Sequence, residues 1–444
     1  MGEDVDMEYV EDYLLELVRE LDGVALERTE EQSDHSSNEE HSNSSSDSNA
    51  TTESWGSDEP PPLELNYEAL KHIATQFLPG SHGACIDITE IHRGSYHEVR
   101  VLHFEDGWTC IARFTRDKEP LLKTQCELAT VAYVRKHTDI PVPETYFVNY
   151  NENHVVGAPF VLMEKMEGDR LNYIWFDLPF EHKLSIVEQT ANIVGKLADL
   201  QFDKIGSFNG EGAVGPFLNV CRTLMDDPEG PFPTTLELFY GALNEKKLHR
   251  PKSSTKWYPA IKELLEGFME GKESDGTLQA PYRLIHDDLE LYNILVRQSD
   301  KNAPPQITGV IDWDWAYVGP LYYLCEYPPS ILECHNQQAE DDELAELKKL
   351  RKHFVKTIAQ RYPKGSVERA DVKRCFKEKS DTLNWFMKDF AGLREDREVE
   401  EGVEGRAECY LLTMRGDRGE DWPRHPYGYC YDYEPDSDPE SDDE

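Results

Sequence analysis

The stretch "RLIHDDLELYNILV", residues 283–296, decides the fold. Apolar runs flank a polar loop that carries Asp287 and Asp288 side by side, with Asn293 five positions after the second. Such runs on either side of turn-forming residues predict strand, loop, strand. Aspartate and asparagine also make ordinary turns, so the loop alone leaves a polar turn and a catalytic loop both open. The next apolar run, in "GVIDWDW" (309–315), follows the turn "KNAPP" (301–305) and ends on Asp312. A hairpin can bring Asp312 beside Asn293. An amide oxygen and a carboxylate from adjacent strand ends suit Mg²⁺, which takes few protein oxygens plus phosphates and water. Asp288 would then face a hydroxyl about to attack a terminal phosphate, orient it and accept its proton.

Upstream of the loop the pattern changes once. Residues 63–78 have helical periodicity. "GACIDITEIH", "HEVRVLHF" and "WTCIARFT" read as strands, the last two joined at Asp106-Gly107, a hairpin turn signal. "LLKTQCELATVAYVRKHT" is periodic as a helix and is stopped by "IPVP" at 140–143. "TYFVNYN" and "APFVLMEKMEG" are two more strands. From Phe180 the pattern is mostly helical, over 180–200, 234–246, 256–270, 340–362 and 366–393, around the strand–turn–strand unit of the loop. The fold class expected is α+β: a small β-rich N-lobe over 61–167 and a larger, mostly helical C-lobe over 168–394.

The chain has 444 residues and a formal net charge of -41, which disfavours nucleic acid as a partner because backbone phosphates would be repelled. The acid is concentrated at the ends: 19 acids against 2 bases in residues 1–60, and 18 against 5 in 395–444. Residues 29–60 are serine-rich and poor in large apolar groups, so they cannot bury enough surface to offset their ordering entropy. They and "YEPDSDPESDDE" at the far end are expected to be disordered. Val10, Leu14, Leu17, Val18 and Leu21 recur at helical spacing, predicting a short amphipathic helix over 6–22 that docks on the protein or on a partner. The tails are solubilising segments or protein-partner arms. Nine scattered cysteines without a C-x-x-C pair predict neither a disulfide framework nor a zinc site. No apolar run approaches the ~20 residues of a membrane helix, and the acidic start is unlike a transit peptide. A cytoplasmic or nuclear setting is the expectation.

"HDDLELYNILV" with "VIDWDWA" resembles the H-G-D-L-x-x-x-N and I-D-W-E signatures of the aminoglycoside phosphotransferase and choline kinase-like family, a distant relative of protein kinases. The resemblance covers about 80–394, with "RGSYHEV", "CIARF", "CELATVAYVRKHTDIPVPE", "FVLMEKMEG" and "FDKIGSF" in the family's order, the last as in fungal members. It implies a bilobal protein kinase-like fold, Mg²⁺, and ATP or GTP as co-substrate. By the same resemblance Asp288 is the catalytic base and His286 braces its loop. Asn293 and Asp312 are the Mg²⁺ ligands. Arg113 holds the non-transferring phosphates, with Glu127 as its helix partner. Gly94 and Ser95 turn over the phosphates. The backbone of Met163, Glu164 and Met166 is the adenine-contacting hinge.

Three positions depart from the pattern. Asp287 replaces the usual glycine, and a second carboxylate there either raises the pKa of Asp288 or faces solvent. Glu290 stands where relatives have histidine or a neutral residue. Arg113 replaces lysine, which is not a neutral exchange at a phosphate. The function expected is phosphoryl transfer to a hydroxyl of a small molecule. Asp226, Asp227, Glu290 and Asp314 make a cationic acceptor fit. A catalytically inactive nucleotide-binding scaffold is the second expectation. A protein kinase is third, because "WAYVGPLYYLCEYPPSILE" offers no A-P-E segment and runs straight into helices.

Overall fold

The computed structural model describes residues 60–94, 96–116, 121–209, 212–218, 229–242, 258–331 and 341–377. The acidic ends, the helix expected over 6–22, Ser95, Asp226, Asp227 and the far end of the last expected helix lie outside these residues.

The small lobe is a five-stranded antiparallel sheet. Its strands are β1 (Cys85–Arg93), β2 (His97–Phe104), β3 (Thr109–Thr115), β4 (Thr145–Asn149) and β5 (Phe160–Glu164), in the order β1-β2-β3-β5-β4. Helix α1 (Tyr67–Phe77) covers one face, burying Ala69, Leu70, Ile73 and Ala74 against Phe104, Phe114, Phe160 and Leu162. The helix starts four residues later than its periodicity suggests. Asn66 caps it, its side chain accepting from the Ala69 amide at 3.1 Å. Upstream, the Asn66 and Leu63 amides donate to Val156 O and to the buried Glu98 carboxylate, so 63–66 is held extended.

Helix α2 (Leu121–His137) belongs to both lobes. Its first half turns Lys123 and Glu127 towards the sheet side, while Val131 and Val134 enter the core of the large lobe together with Ile140 and Val142. Its basic last turn, Arg135 to His137, complements the helix dipole. The large lobe is built on α3 (Phe180–Asp199), α4 (Thr235–Ala242), α5 (Tyr258–Met269), α7 (Asp341–Gln360) and α8 (Val367–Lys377), with the four-residue α6 (Leu321–Leu324) between. Among the described residues no helix is long and apolar enough to cross a membrane.

Two small sheets carry the loop of 286–293. Strand β7 (Arg283–Ile285) precedes it and pairs with β10 (Tyr317–Gly319). Strand β8 (Ile294–Arg297) follows it and pairs with β9 (Gln306–Val310) and with β6 (Asp169–Arg170). The loop is therefore not the turn of a hairpin. It passes from one sheet to another, and the hairpin is β8–β9. Residues 317–319, expected to enter helices directly, form a buried strand first.

Candidate active site

Strand β7 delivers His286 into a fully enclosed position 4.4 Å from the Trp313 ring. Its Nε2 lies 3.2 Å from Ile311 O, and its Nδ1 accepts the Asp288 amide at 3.3 Å. One nitrogen must donate and the other accept, so the ring is singly protonated. Burial lowers its pKa to about 4, which keeps it neutral near pH 7. It ties the loop to the segment after β9, the bracing role expected of it.

Asp287 has φ +66°, the left-handed region. That explains a glycine at this position in the family pattern, and it shows how an aspartate can stand there: aspartate and asparagine tolerate this conformation better than other residues with a Cβ. The side chain is exposed. Asp287→Gly should therefore leave stability within about 0.5 kcal/mol of the parent, strain relief being offset by the freer unfolded chain. Asp287→Val should cost about 1–2 kcal/mol, because a β-branched residue is poorly tolerated there. Thermal unfolding of the two variants checks this; equal stability of the two would show that the left-handed backbone at 287 imposes no such penalty.

Asp288 is half-buried and held from two sides. Asn293 Nδ2 donates to its main-chain oxygen and to Oδ2, each at 2.9 Å, and the Tyr292 hydroxyl donates to Oδ1 at 3.1 Å. Burial raises its carboxyl pKa, the hydrogen bonds from Tyr292 and Asn293 pull it down, and Asp314 adds to the rise.

The two bonds from Asn293 Nδ2 fix which end of that amide is oxygen, leaving Oδ1 as an acceptor. Register places it: Ile294 faces Val310, and Ile311 N donates to Asn293 O at 2.9 Å. Asp312 follows directly, at φ +65°. It is exposed, yet its surroundings still desolvate it. Burial, Asp314 and Asp288 raise its pKa to about 6, with Arg113 opposing. One amide oxygen and one partly desolvated carboxylate, with the acids Asp288 and Asp314 nearby, fit a hard divalent cation. Among the described residues no cluster of three His, Cys, Asp or Glu competes with it for a metal.

Across from this loop, β3 presents Arg113 to Glu127 of α2. Arg113 Nη1 donates to Glu127 Oε1 at 2.7 Å, and Nη2 donates to Oε2 in a second, shorter bond. Both residues are buried. Burial and Asp314 push the Glu127 carboxyl up, and Arg113 holds it down. A proton on either oxygen would meet a guanidinium N–H, so the pair is ionised. The β1–β2 turn closes over this side, with Gly94 N donating to His97 O at 2.8 Å and Arg116 Nε donating to Gly94 O. Met163 and Glu164 end β5, and Met166 follows at the crossing between lobes. The Glu164 carboxylate accepts from Glu144 N and Arg135, and its own amide donates to Glu144 O at 2.8 Å.

A model of the phosphotransferase enzyme family matches residues 87–323, just over half of the chain. The chain belongs to that family. The match contains both halves of the site, from the β1–β2 turn through Asp312. A 125-residue stretch, 28% of this phosphotransferase-family chain, is 32% identical to a subtelomeric hrmA-associated cluster protein of Aspergillus fumigatus and covers 25% of it. A 141-residue stretch, 29% of the chain, is 28% identical to the altered inheritance of mitochondria protein 9, mitochondrial, of Zygosaccharomyces rouxii and covers 23% of that protein. The chain thus spans about a quarter of the length of the curated relatives it matches. An ADP-bound aminoglycoside phosphotransferase, APH(2'')-Ib, aligns over 79% of this chain and 98% of its own at 13% identity and a TM-score of 0.45. The family assignment rests on the family model.

One expected role is overturned. Asp314, expected to face a cationic acceptor, is buried and already holds cations of the protein itself. Lys123 Nζ is 2.9 Å from its Oδ2, Arg113 Nη1 is 3.8 Å from Oδ1, and His97 Nδ1 is 3.6 Å from Oδ2. Burial works against this carboxylate, but His97, Arg113 and Lys123 win and hold it well below the usual range. Trp313 is core. Lys123, His97 and Tyr292 escaped the sequence reading. For Lys123 a signal existed: it precedes Glu127 by four residues, on the same face of a helix.

Proposed function

We propose that the chain transfers the terminal phosphoryl group of ATP or GTP to a hydroxyl of a small molecule. The observation that carries this is the convergence of Asp288, Asn293 and Asp312 at adjoining strand ends, with the Arg113–Glu127 pair on the other lobe. Asn293 and Asp312 would hold Mg²⁺, which when bound neutralises charge on the β and γ phosphates. Asp288, positioned by Tyr292 and Asn293, aims the acceptor hydroxyl and takes its proton at a carboxylate oxygen. Its raised pKa makes it a stronger base than a solvated aspartate. His286 keeps the loop in register without changing charge. Arg113, locked by Glu127, presents its positive charge to the non-transferring phosphates. The work is done by positioning and charge.

With Asp314 committed inside the protein, Glu290 is the half-buried acid beside the loop that favours a cationic acceptor. The scaffold alternative drew on Asp287 and Arg113. Asp287 faces solvent in a conformation that admits it, and Arg113 has its expected partner, so neither observation favours inactivity.

Thermal unfolding tests the nucleotide claim. Mg-ATP or Mg-GTP at 100 times its Kd should stabilise the protein by about 2.7 kcal/mol, and Asp312→Asn should lose most of that gain. Absence of any shift with both nucleotides would sink the proposal.

A further inference from the structure

Lys123 is 2% exposed, among the most buried large side chains of the protein. Taking an ammonium out of water is costly unless it is paired, and methionine or leucine would fill such a place without that cost. What surrounds Lys123 comes from two distant parts of the chain. Its Nζ lies 2.9 Å from Asp314 Oδ2. It lies 3.8 Å from the Trp315 ring centroid and 4.7 Å from that of Tyr96. Asp314 and Trp315 follow the metal-ligand candidate Asp312 in the large lobe. Tyr96 belongs to the β1–β2 turn over the phosphate side. Lys123 itself sits on α2, one turn before Glu127.

The charges near this point make its contribution specific. Glu127 gives both oxygens to Arg113. Lys123 is the cation nearest Asp314, at 2.9 Å against 3.6 Å for His97 and 3.8 Å for Arg113, and Arg113 is shared with Glu127. Asp288 and Asp312 stand nearby as acids. Without Lys123 a buried carboxylate stripped of its nearest cation would border the place where anionic phosphates must come.

We propose that Lys123 is a positioning residue of the nucleotide site: it neutralises Asp314 and clasps the Tyr96 turn to the Asp312 segment, so that the site accepts phosphate. This rests on the phosphoryl-transfer proposal and adds a residue to it. The contact is with Asp314 and the two rings, and the effect on nucleotide passes through them.

A double-mutant cycle on the full chain, read as thermal stabilisation by Mg-ATP and Mg-GTP, tests it. Lys123→Met should weaken nucleotide binding by tenfold or more. Asp314→Asn in the same chain should restore binding to within about threefold of the parent, because the unbalanced charge is gone. A role in packing alone predicts no such restoration. Should Lys123→Met fail to fold, the double variant carries the test, since replacing both charges by neutral groups of similar size must be tolerated if each exists to balance the other. Unstabilised parent protein counts against the nucleotide reading itself. A stabilised parent with Lys123→Met binding equally well, with losses that add in the double variant, or with an unfolded double variant overturns the role of Lys123.

Discussion

Asp288→Asn is expected to lower turnover by about 10²–10⁴-fold, the usual contribution of a positioned base, while Mg-nucleotide still stabilises the variant. Asparagine keeps the size and one acceptor oxygen, so the Tyr292 and Asn293 contacts that shape the loop survive in part. Basicity is what disappears. Stability should move the other way from turnover. The folded pKa of Asp288 lies above its unfolded value because burial disfavours the charged form. A carboxyl of that kind contributes its stability below the unfolded pKa and loses it as pH rises through the folded one. Near pH 7 the ionised Asp288 therefore costs folding free energy, and the neutral asparagine removes the cost. An unfolding temperature at or above that of the parent, with turnover collapsed, is the signature of a group kept for chemistry. Turnover within threefold of the parent would remove Asp288 from the mechanism; a large loss of unfolding temperature would make it structural. In the parent, the acid limb of the rate should fall at a higher pH than a solvated aspartate gives, because the base must be ionised to work.

The grouping of residues at this site was legible in the sequence where it depended on local order. Asp288 and Asn293 share one loop, and Asp312 ends the neighbouring strand of a hairpin whose turn, 301–305, is marked by prolines. The Arg113–Glu127 pair was reached through the family resemblance alone, since nothing local in a strand or a helix says which two residues will meet across them. What escaped depends on distant partners. Strand β7 is only three residues long and buried throughout, so pattern alone cannot say whether it pairs with β8, its neighbour in sequence, or with β10. Tyr317 to Gly319 is too short for periodicity to separate it from the start of a helix. Asp314 looked like a surface acid ready for a cationic ligand, because its three partners, His97, Arg113 and Lys123, lie on β2, β3 and α2, far away in sequence. The start of α1 was set by a cap and by contacts of residues 63–66 with Val156 and Glu98, which no local pattern reveals.

The Arg113–Glu127 pair yields the largest expected effect on stability, and it separates folding from function. Both side chains are almost fully enclosed. Glu127→Ala leaves the Arg113 guanidinium buried with two donors unmet, which typically costs about 3–5 kcal/mol. At roughly 2–4 °C per kcal/mol for a domain of this size, the unfolding temperature should fall on the order of 10 °C. The Asp314 carboxylate, 3.8 Å from Arg113, moderates the loss and argues for the lower half of that range. The informative variant replaces both partners. Arg113→Met with Glu127→Leu removes the two charges together, fills a similar volume, and should recover most of the lost stability, since buried ion pairs are often no better than apolar residues that pack well. Stabilisation by Mg-nucleotide should not recover, because the guanidinium that faces the phosphates is gone. Recovery of both would make the pair a mere element of packing. Recovery of neither would mean that the geometry of the small lobe depends on the ion pair itself. Regained stability without nucleotide binding is the outcome that the buried, doubly bonded pair predicts.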